Sequence, residues 1–517
     1  MKKTMKQHPF ASRLKFLALV FGIALAFASC ANEDIAQNPN GTDNNKNFTI
    51  FSTGDPATRT SMESNGAFYW EAGDKIWVKD DTGAWKQSRN APKEKTASFK
   101  FEVPGKFTKT TTYKVYYPGK NGNKNQVAIA ANQSQAVPNT TAHFGASGDC
   151  GMADAAWSNT KKGFAFTLDH KAAYLLFLPR TSNTILHDCY LTKVEVNSDN
   201  DITSTYTLNP TTGELTGTGT GKQIIVSTRG SGTYANGFPL TNNATSAATN
   251  GAYVVIKPGT HILKIRYWVK DVATSTEGTI TKTLSSATYD RNKYYNITAN
   301  LDVKNYDGDH YYMWDAQQQY WYGYEWTRHL SGNTGQPTLN GNSSSNYAQS
   351  NSDVSRWYHE GSGAFQATHS CAGLPNVNEM TWYAANGEPR WDAYELWTTM
   401  GHLYKGGIWF KKKANISGFD ADKAVDGTDW RTNNNGNNWS VSQTLPDAAD
   451  ANNYFYLPAL GFYRSGQLLS VGGTGYCWSS SAHPVFSSSA YNLSFNNGGV
   501  FVDRNLRSDG FRAEAFQ

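Results

Sequence analysis

A chain of 517 residues is too long to share one hydrophobic core and has to divide into two to four domains. Its formal net charge of +5 is small, and Lys411-Lys412-Lys413 is its one basic run, so the electrostatic footprint of a nucleic-acid binder is missing. Charged residues make up only 17% and aromatics 14%, among abundant Gly, Asn, Ser and Thr, a texture that suits an exported β-protein and contact with sugars.

The chain opens with Lys2, Lys3, Lys6, Arg13 and Lys15, then an apolar run over 16–27, then Ala28-Ser29-Cys30. This is the pattern of a secretory signal peptide, its apolar run shorter than the ~20 residues of a spanning helix. The small residues before Cys30 resemble the lipobox of bacterial lipoproteins. That resemblance implies a cut before Cys30 and lipidation of its thiol; an ordinary signal peptide with a chance cysteine is the alternative. Residues 1–29 are then a lipoprotein signal peptide and 30–46 a flexible polar tether. No later segment is long and apolar enough to cross a bilayer, so the lipid is the expected anchor at the cell outer membrane.

From 48 to 303 the pattern is that of strands. Leu263, Ile265, Tyr267 and Val269 alternate with polar or amphipathic neighbours, as do Tyr295, Ile297, Ala299, Leu301 and Val303, and Phe164, Phe166 and Leu168. Period two predicts strands with one buried face, and turn signals such as Lys257-Pro258-Gly259 divide them. About 255 residues of this kind predict two β-sandwiches. Beyond Cys30 there are four cysteines, Cys150, Cys189, Cys371 and Cys477, two on each side of a break near 304. They permit one disulfide per half or four buried thiols, and their spacing fits no CxxC zinc pattern.

The stretch Ala57-Thr58-Arg59-Thr60, followed by Trp70-Glu71-Ala72-Gly73-Asp74-Lys75-Ile76-Trp77-Val78, resembles the opening of fimbrillin-family (type V pilin) proteins. Phe164-Ala165-Phe166-Thr167-Leu168-Asp169-His170 and the closing Tyr294-Tyr295-Asn296-Ile297 are similar to the same family. The resemblance implies two transthyretin-like β-sandwiches, here 47–175 and 176–304. It also implies trimming by an arginine-specific protease that frees an N-terminal strand and lets a neighbouring subunit's strand enter. Arg59, just after a candidate strand over 48–52, is the expected cleavage site, against the plain alternative of a surface arginine in a turn.

The second half is denser in Trp and Tyr, beginning with Tyr311-Tyr312-Met313-Trp314-Asp315 and running through Tyr320 to Trp326. A Ser/Asn/Gly-rich stretch over 330–352 reads as a loop. Asn376 with Glu379 three residues on predicts a capping box and a helix start. Leu396, Met400 and Leu403 suggest a second, weaker helix. Near the end, Tyr491, Leu493 and Phe495 lead into an Asn496-Asn497-Gly498-Gly499 turn, and Phe511, Ala513 and Ala515 predict a last strand.

The block from Cys371 to Tyr383, the run Gly475-Tyr476-Cys477-Trp478-Ser479-Ser480-Ser481 and the closing Arg507-Ser508-Asp509-Gly510-Phe511-Arg512 resemble the FISUMP-type surface domains. This implies an α+β C-type-lectin-like domain over 305–517, so the whole chain is expected to be mostly β. In that fold the chain ends meet in a small sheet, and the resemblance favours a Cys371–Cys477 disulfide. Calcium-dependent lectins of this fold use Glu-Pro-Asn or Gln-Pro-Asp, whereas here Glu388-Pro389-Arg390 places an arginine in the amide position. Asp420, Asp422, Asp426 and Asp429 could supply oxygen ligands to calcium or form a solvated acidic loop; the spacing is not that of an EF-hand. Trp430 and Trp439 lie in a polar loop, either open for stacking on a sugar or covered by the loop itself.

His170, His402 and His483 are scattered, with no HExxH, GxSxG or Walker pattern around them. The expectation is therefore a non-enzymatic adhesion protein without cofactor, at a fimbrial tip or accessory position. Its expected partners are the lipid anchor, other pilin subunits by strand exchange, and a glycan or surface-protein ligand. The alternatives are a glycan-binding lipoprotein that never polymerises, and an enzyme of formylglycine-generating type using Cys371 and Cys477.

Overall fold

The computed structural model describes residues 47–53, 61–62, 68–306, 310–327, 343–447 and 449–516. The expected lipidation site Cys30 and cleavage site Arg59 lie outside the described residues. The protein is mostly β, and no described helix is long and apolar enough to cross a membrane.

The first region is one sheet folded over its own aromatic core. β1 (Phe48–Thr53), β2 (Lys100–Pro104), β3 (Tyr113–Tyr117), β4 (Gly151–Ser158) and β5 (Gly163–Phe166) form its main path, in the order β3-β4-β5-β1-β2. β4 makes the fold-over: its first half, Gly151 to Ala155, pairs with β3, while Ala156 to Ser158 pair with β5. Phe51, Trp70, Phe101, Tyr113, Phe164 and Phe166 fill the space between. Alternation along β5 buries Phe164 and Phe166, as the period-two pattern requires.

The second region is a sandwich of two sheets. β6 (Ala173–Arg180), β7 (Cys189–Ser198), β8 (Gln223–Ser227), β9 (Ala252–Ile256), β10 (Leu263–Asp271), β11 (Glu277–Thr283) and β12 (Tyr294–Asn300) supply its main strands. β9-β6-β12 faces β11-β10-β7-β8 across one apolar cluster. Leu263, Ile265, Tyr267 and Val269 all point into that cluster. β6 runs from 173 to 180, so the boundary drawn at 175/176 cuts a core strand. The strands Gln126–Ile129 and Asn132–Ser134 already pair with the second region.

β13 (Lys304–Asn305) then passes straight into the next sheet, crossing the boundary drawn at 304/305. There it lies beside β14 (Arg390–Thr399), which pairs with β15 (His402–Lys411) and through it with β16 (Tyr454–Pro458). The second-helix expectation fails here. Leu396, Met400 and Leu403 belong to the β14–β15 hairpin, whose two turn residues, Met400 (φ 51°) and Gly401 (φ 79°), both have positive φ. Such a turn matches the natural twist of paired strands.

The capped helix is as expected, at Val377–Asn386 with both halves of the Asn376–Glu379 box formed. It packs on a second sheet containing β17 (Thr474–Ala482), β18 (Ser489–Asn496), β19 (Gly499–Leu506) and β20 (Phe511–Arg512). Asn496 faces Gly499 across the two-residue turn between β18 and β19. The last strand is shorter than predicted, only Phe511–Arg512.

Candidate functional site

Two features of the fold could act on other molecules. The first is the seat of β1, which lies antiparallel to β2 and parallel to β5. Phe51 sits opposite both Phe101 and Phe164, fully buried. Its ring stacks on Phe164 at 5.0 Å between centroids and meets Phe107 edge-on at 5.1 Å. β1 is thus held by two backbone ladders and one aromatic plug. Its removal would leave two unpaired edges beside an open apolar slot, which favours entry of another strand.

The second feature is a pocket of about 380 Å³ where β13 and the closing segment of the chain meet β14, β15 and β16. Trp397, Trp409, Tyr306 and Tyr456 form its aromatic wall, with Lys304, Glu395 and Arg512 as charged groups. Trp409 and Tyr456 pack at 5.1 Å, and the Trp409 indole N–H donates to Asp392 Oδ2 (3.2 Å), which fixes the ring. Desolvation and the nearby Asp392 carboxylate push the Glu395 carboxyl above its usual range. Arg512 Nη1 is buried and has no partner among the described residues. An aromatic wall with a few convergent polar groups is the usual make-up of a small polar ligand site.

The residues singled out in sequence fall elsewhere. Trp430 is only 3% exposed, and its Nε1–H donates to Asp426 Oδ2 (2.9 Å). It packs in the same cluster as Val377 and Met380, with Trp439 stacked beside it at 6.5 Å. The loop therefore covers Trp430, the second of the two alternatives, while Trp439 stays half-buried. Aromatics that do face solvent include Tyr322, Tyr324, Trp326 and Tyr394, with Trp326 64% and Tyr394 76% exposed. The aromatic density from Tyr320 to Trp326 is the sequence signal for the first three of these; Tyr394 stands outside it.

The acidic loop does not gather its carboxylates. Asp429 accepts from Arg431 Nε (2.8 Å) and Asn378 Nδ2 (2.9 Å), and the arginine holds its carboxyl below the usual range. Asp422 also pairs with Arg431 (3.2 Å), Asp426 accepts from the Trp430 indole N–H, and Asp420 accepts from the Asp422 backbone N–H (2.8 Å). Each of the four closes its own turn or ion pair, so of the two readings the arrangement matches the acidic loop and does not assemble a calcium ligand set. Glu388 is likewise taken up by Lys411, the Tyr454 hydroxyl (2.7 Å) and Arg390 (3.0 Å), which lower its carboxyl to about 2.

The expected Cys371–Cys477 disulfide is not formed; all four described cysteines are free, buried thiols. Strand alternation gives the reason. Cys477 points into the core under the capped helix, whereas its neighbour Trp478 points to the opposite face, into the cluster that holds Cys371. The sheet itself stands between the two sulfurs. Burial pushes the Cys477 thiol up to about 11 and the Cys371 thiol higher still, which disfavours the thiolate form of both.

No known family model matches the chain, and no curated protein matches it. Among solved structures, the chain is similar to a candidate cell adhesion protein of Bacteroides ovatus, with 14% identity and a TM-score of 0.29 over 48% of this chain and 92% of that one. It is also similar to the fimbrial anchor protein Mfa2 of Porphyromonas gingivalis, with 11% identity and a TM-score of 0.22 over 46% and 82%. A fimbrial protein of Bacteroides ovatus aligns over 90% of this chain and 98% of its own, with 9% identity and a TM-score of 0.27.

Proposed function

We propose that the protein is a cell-surface adhesion subunit of the fimbrial type, tethered at the outer membrane through Cys30, with an N-terminal strand that can be exchanged between subunits. The observation that carries this reading is the seat of β1, a short strand at the start of the described chain, bound by ladders on both edges and plugged by Phe51. A cut at Arg59 would sever β1 from the rest without touching the core it covers. Residues 305–517 act as a C-type-lectin-like head that makes the contact, at a tip or accessory position. The protein works by contact and not by catalysis.

Treatment of the purified chain with an arginine-specific protease tests this. Cleavage at Arg59, followed by exchange of β1 for a labelled synthetic peptide of residues 47–54, is the expected result. A chain that stays uncut at Arg59, or that is cut and takes up no peptide, would overturn the polymerising role.

The pocket beside Trp409 favours a second reading, a glycan-capturing lipoprotein that does not polymerise. Here a glycan array should show binding by the full chain that Trp409→Ala removes. Unchanged binding by that variant would exclude the pocket as the sugar site.

A further inference from the structure

Among the described residues, only Asp315, His359 and His369 bring three metal-ligating side chains together, with their ligand atoms all within 4.8 Å of one another. We propose that these three hold a divalent first-row transition metal, with zinc as the reference ion, and leave one coordination position open to solvent.

The carboxylate is built in place. Asp315 is 1% exposed and has a left-handed backbone, φ 54°, which a non-glycine residue adopts at a cost. Its Oδ1 accepts the backbone N–H groups of His369 (2.6 Å) and Cys371 (3.2 Å), and its Oδ2 that of Thr368 (2.7 Å). These bonds aim Oδ2 at the two imidazoles, whose Nδ1 atoms lie 2.8 Å (His359) and 3.5 Å (His369) from it. Metal–ligand bonds of about 2.0–2.2 Å set neighbouring ligand atoms about 3.0–3.5 Å apart, so an ion would replace the proton of the 2.8 Å His359–Asp315 hydrogen bond and widen that contact by a few tenths of an ångström.

His359 is also fixed from behind. Its ring stacks against Trp314 (6.0 Å) and meets Phe365 (5.2 Å), while its carbonyl accepts from Arg507 Nη1 (3.0 Å). His369 is the more exposed ligand, with 42% of its side chain open, and can close onto an ion. The chemistry of the set selects the ion. Two imidazoles and one carboxylate suit zinc and its neighbours, whereas calcium and magnesium prefer oxygen alone. One carboxylate against a doubly charged ion leaves the site net positive. The open side faces a pocket of about 240 Å³ lined by Val354, Trp357, Tyr358 and Glu360, whose carboxylate accepts from the Trp357 indole (2.9 Å); water or an oxygen of a ligand would complete the shell.

Zinc competition against a chromophoric chelator, using the untagged, metal-stripped full chain, tests the proposal. One equivalent should bind, and Co²⁺ in its place should give a visible absorption band. His369→Ala and His359→Gln should each weaken binding by about a hundredfold or more, since even outer-shell changes cost 10–100-fold. His310→Ala, a histidine paired instead with Glu514 (2.9 Å), should bind as the parent does. His369→Ala should keep the parent's thermal midpoint in the absence of metal, which separates lost ligation from lost folding. No bound equivalent, or equal affinity in His369→Ala, would overturn the site.

Discussion

Arg507 is fully buried and, among the described residues, forms no ion pair with a carboxylate. Its guanidinium instead donates to the carbonyls of Ser489, His359 and Gly361 and lies over the faces of Trp314 (4.8 Å) and Phe365 (5.0 Å). Desolvation lowers it to about 10, still well above physiological pH, so it stays charged. Arg507→Met would take the donor from the His359 and Gly361 carbonyls, while Ser489 keeps the His483 backbone N–H (3.2 Å), and a loss on the order of 3 kcal/mol is expected in denaturant unfolding. His483 is buried in the opposite state. Its Nδ1 accepts from the backbone of Val485 (3.2 Å) and Phe486 (3.0 Å), so its Nε2–H donates to Asn434 Oδ1 (2.9 Å) and the ring is neutral. Burial, then the nearby Arg504, lowers it to about 4, with Asp503 opposing and Arg507 adding to the shift. A depressed base stabilises the fold fully above its unfolded value, about 6.5, and that stability is lost as pH falls from there towards 4. Melting curves across this range should show a loss that is smaller in His483→Gln.

At the scale of elements, β1 is the strand whose removal matters most. Phe51→Ala empties the aromatic plug between Phe101, Phe107 and Phe164 and should cost about 3–5 kcal/mol. The same variant should release β1 faster after cleavage, read as quicker uptake of the labelled peptide. Local signals were the legible ones. The Asn376 box needs only residues three apart, and the β18–β19 turn needs only its own four. The β14–β15 hairpin was misread because Leu396 and Leu403 reach one core from two strands, and the bulge after Asp392 breaks their alternation. The His359 and His369 pairing with Asp315 spans 44 and 54 residues, a distance over which no periodicity in the chain carries information. The cysteine pairing failed for a similar reason: which face of β17 a side chain takes is decided by register, and register belongs to the sheet.

Across the whole molecule, the second sandwich and the C-terminal region meet without a free linker. Leu396 and Leu403 complete the sandwich core, and a Cβ on Gly278 would lie 2.6 Å from Leu396 Cδ2. Asp271 Oδ2 accepts from the Leu403 backbone (3.0 Å) and pairs with His402 (3.2 Å), while Lys405 Nζ donates to the Glu277 carbonyl (2.9 Å). Burial opposes the Asp271 charge, but the bonds from His402 and Leu403 outweigh it and hold the carboxyl below its usual range. Its stabilising effect is present above about pH 4, the unfolded value, and fades as pH falls through the lower folded one. Gly278→Val should wedge the two regions apart, and limited proteolysis should then cut near 304 in a chain that otherwise resists it there.

The direction of β1 has a mechanical consequence. A pull on the chain ahead of Asn47, aligned with the strand, loads the ladders to β2 and β5 in shear, so their hydrogen bonds must give way together instead of peeling one after another. A chain held ahead of Asn47 and pulled from beyond β1 would therefore resist with the full width of both seams.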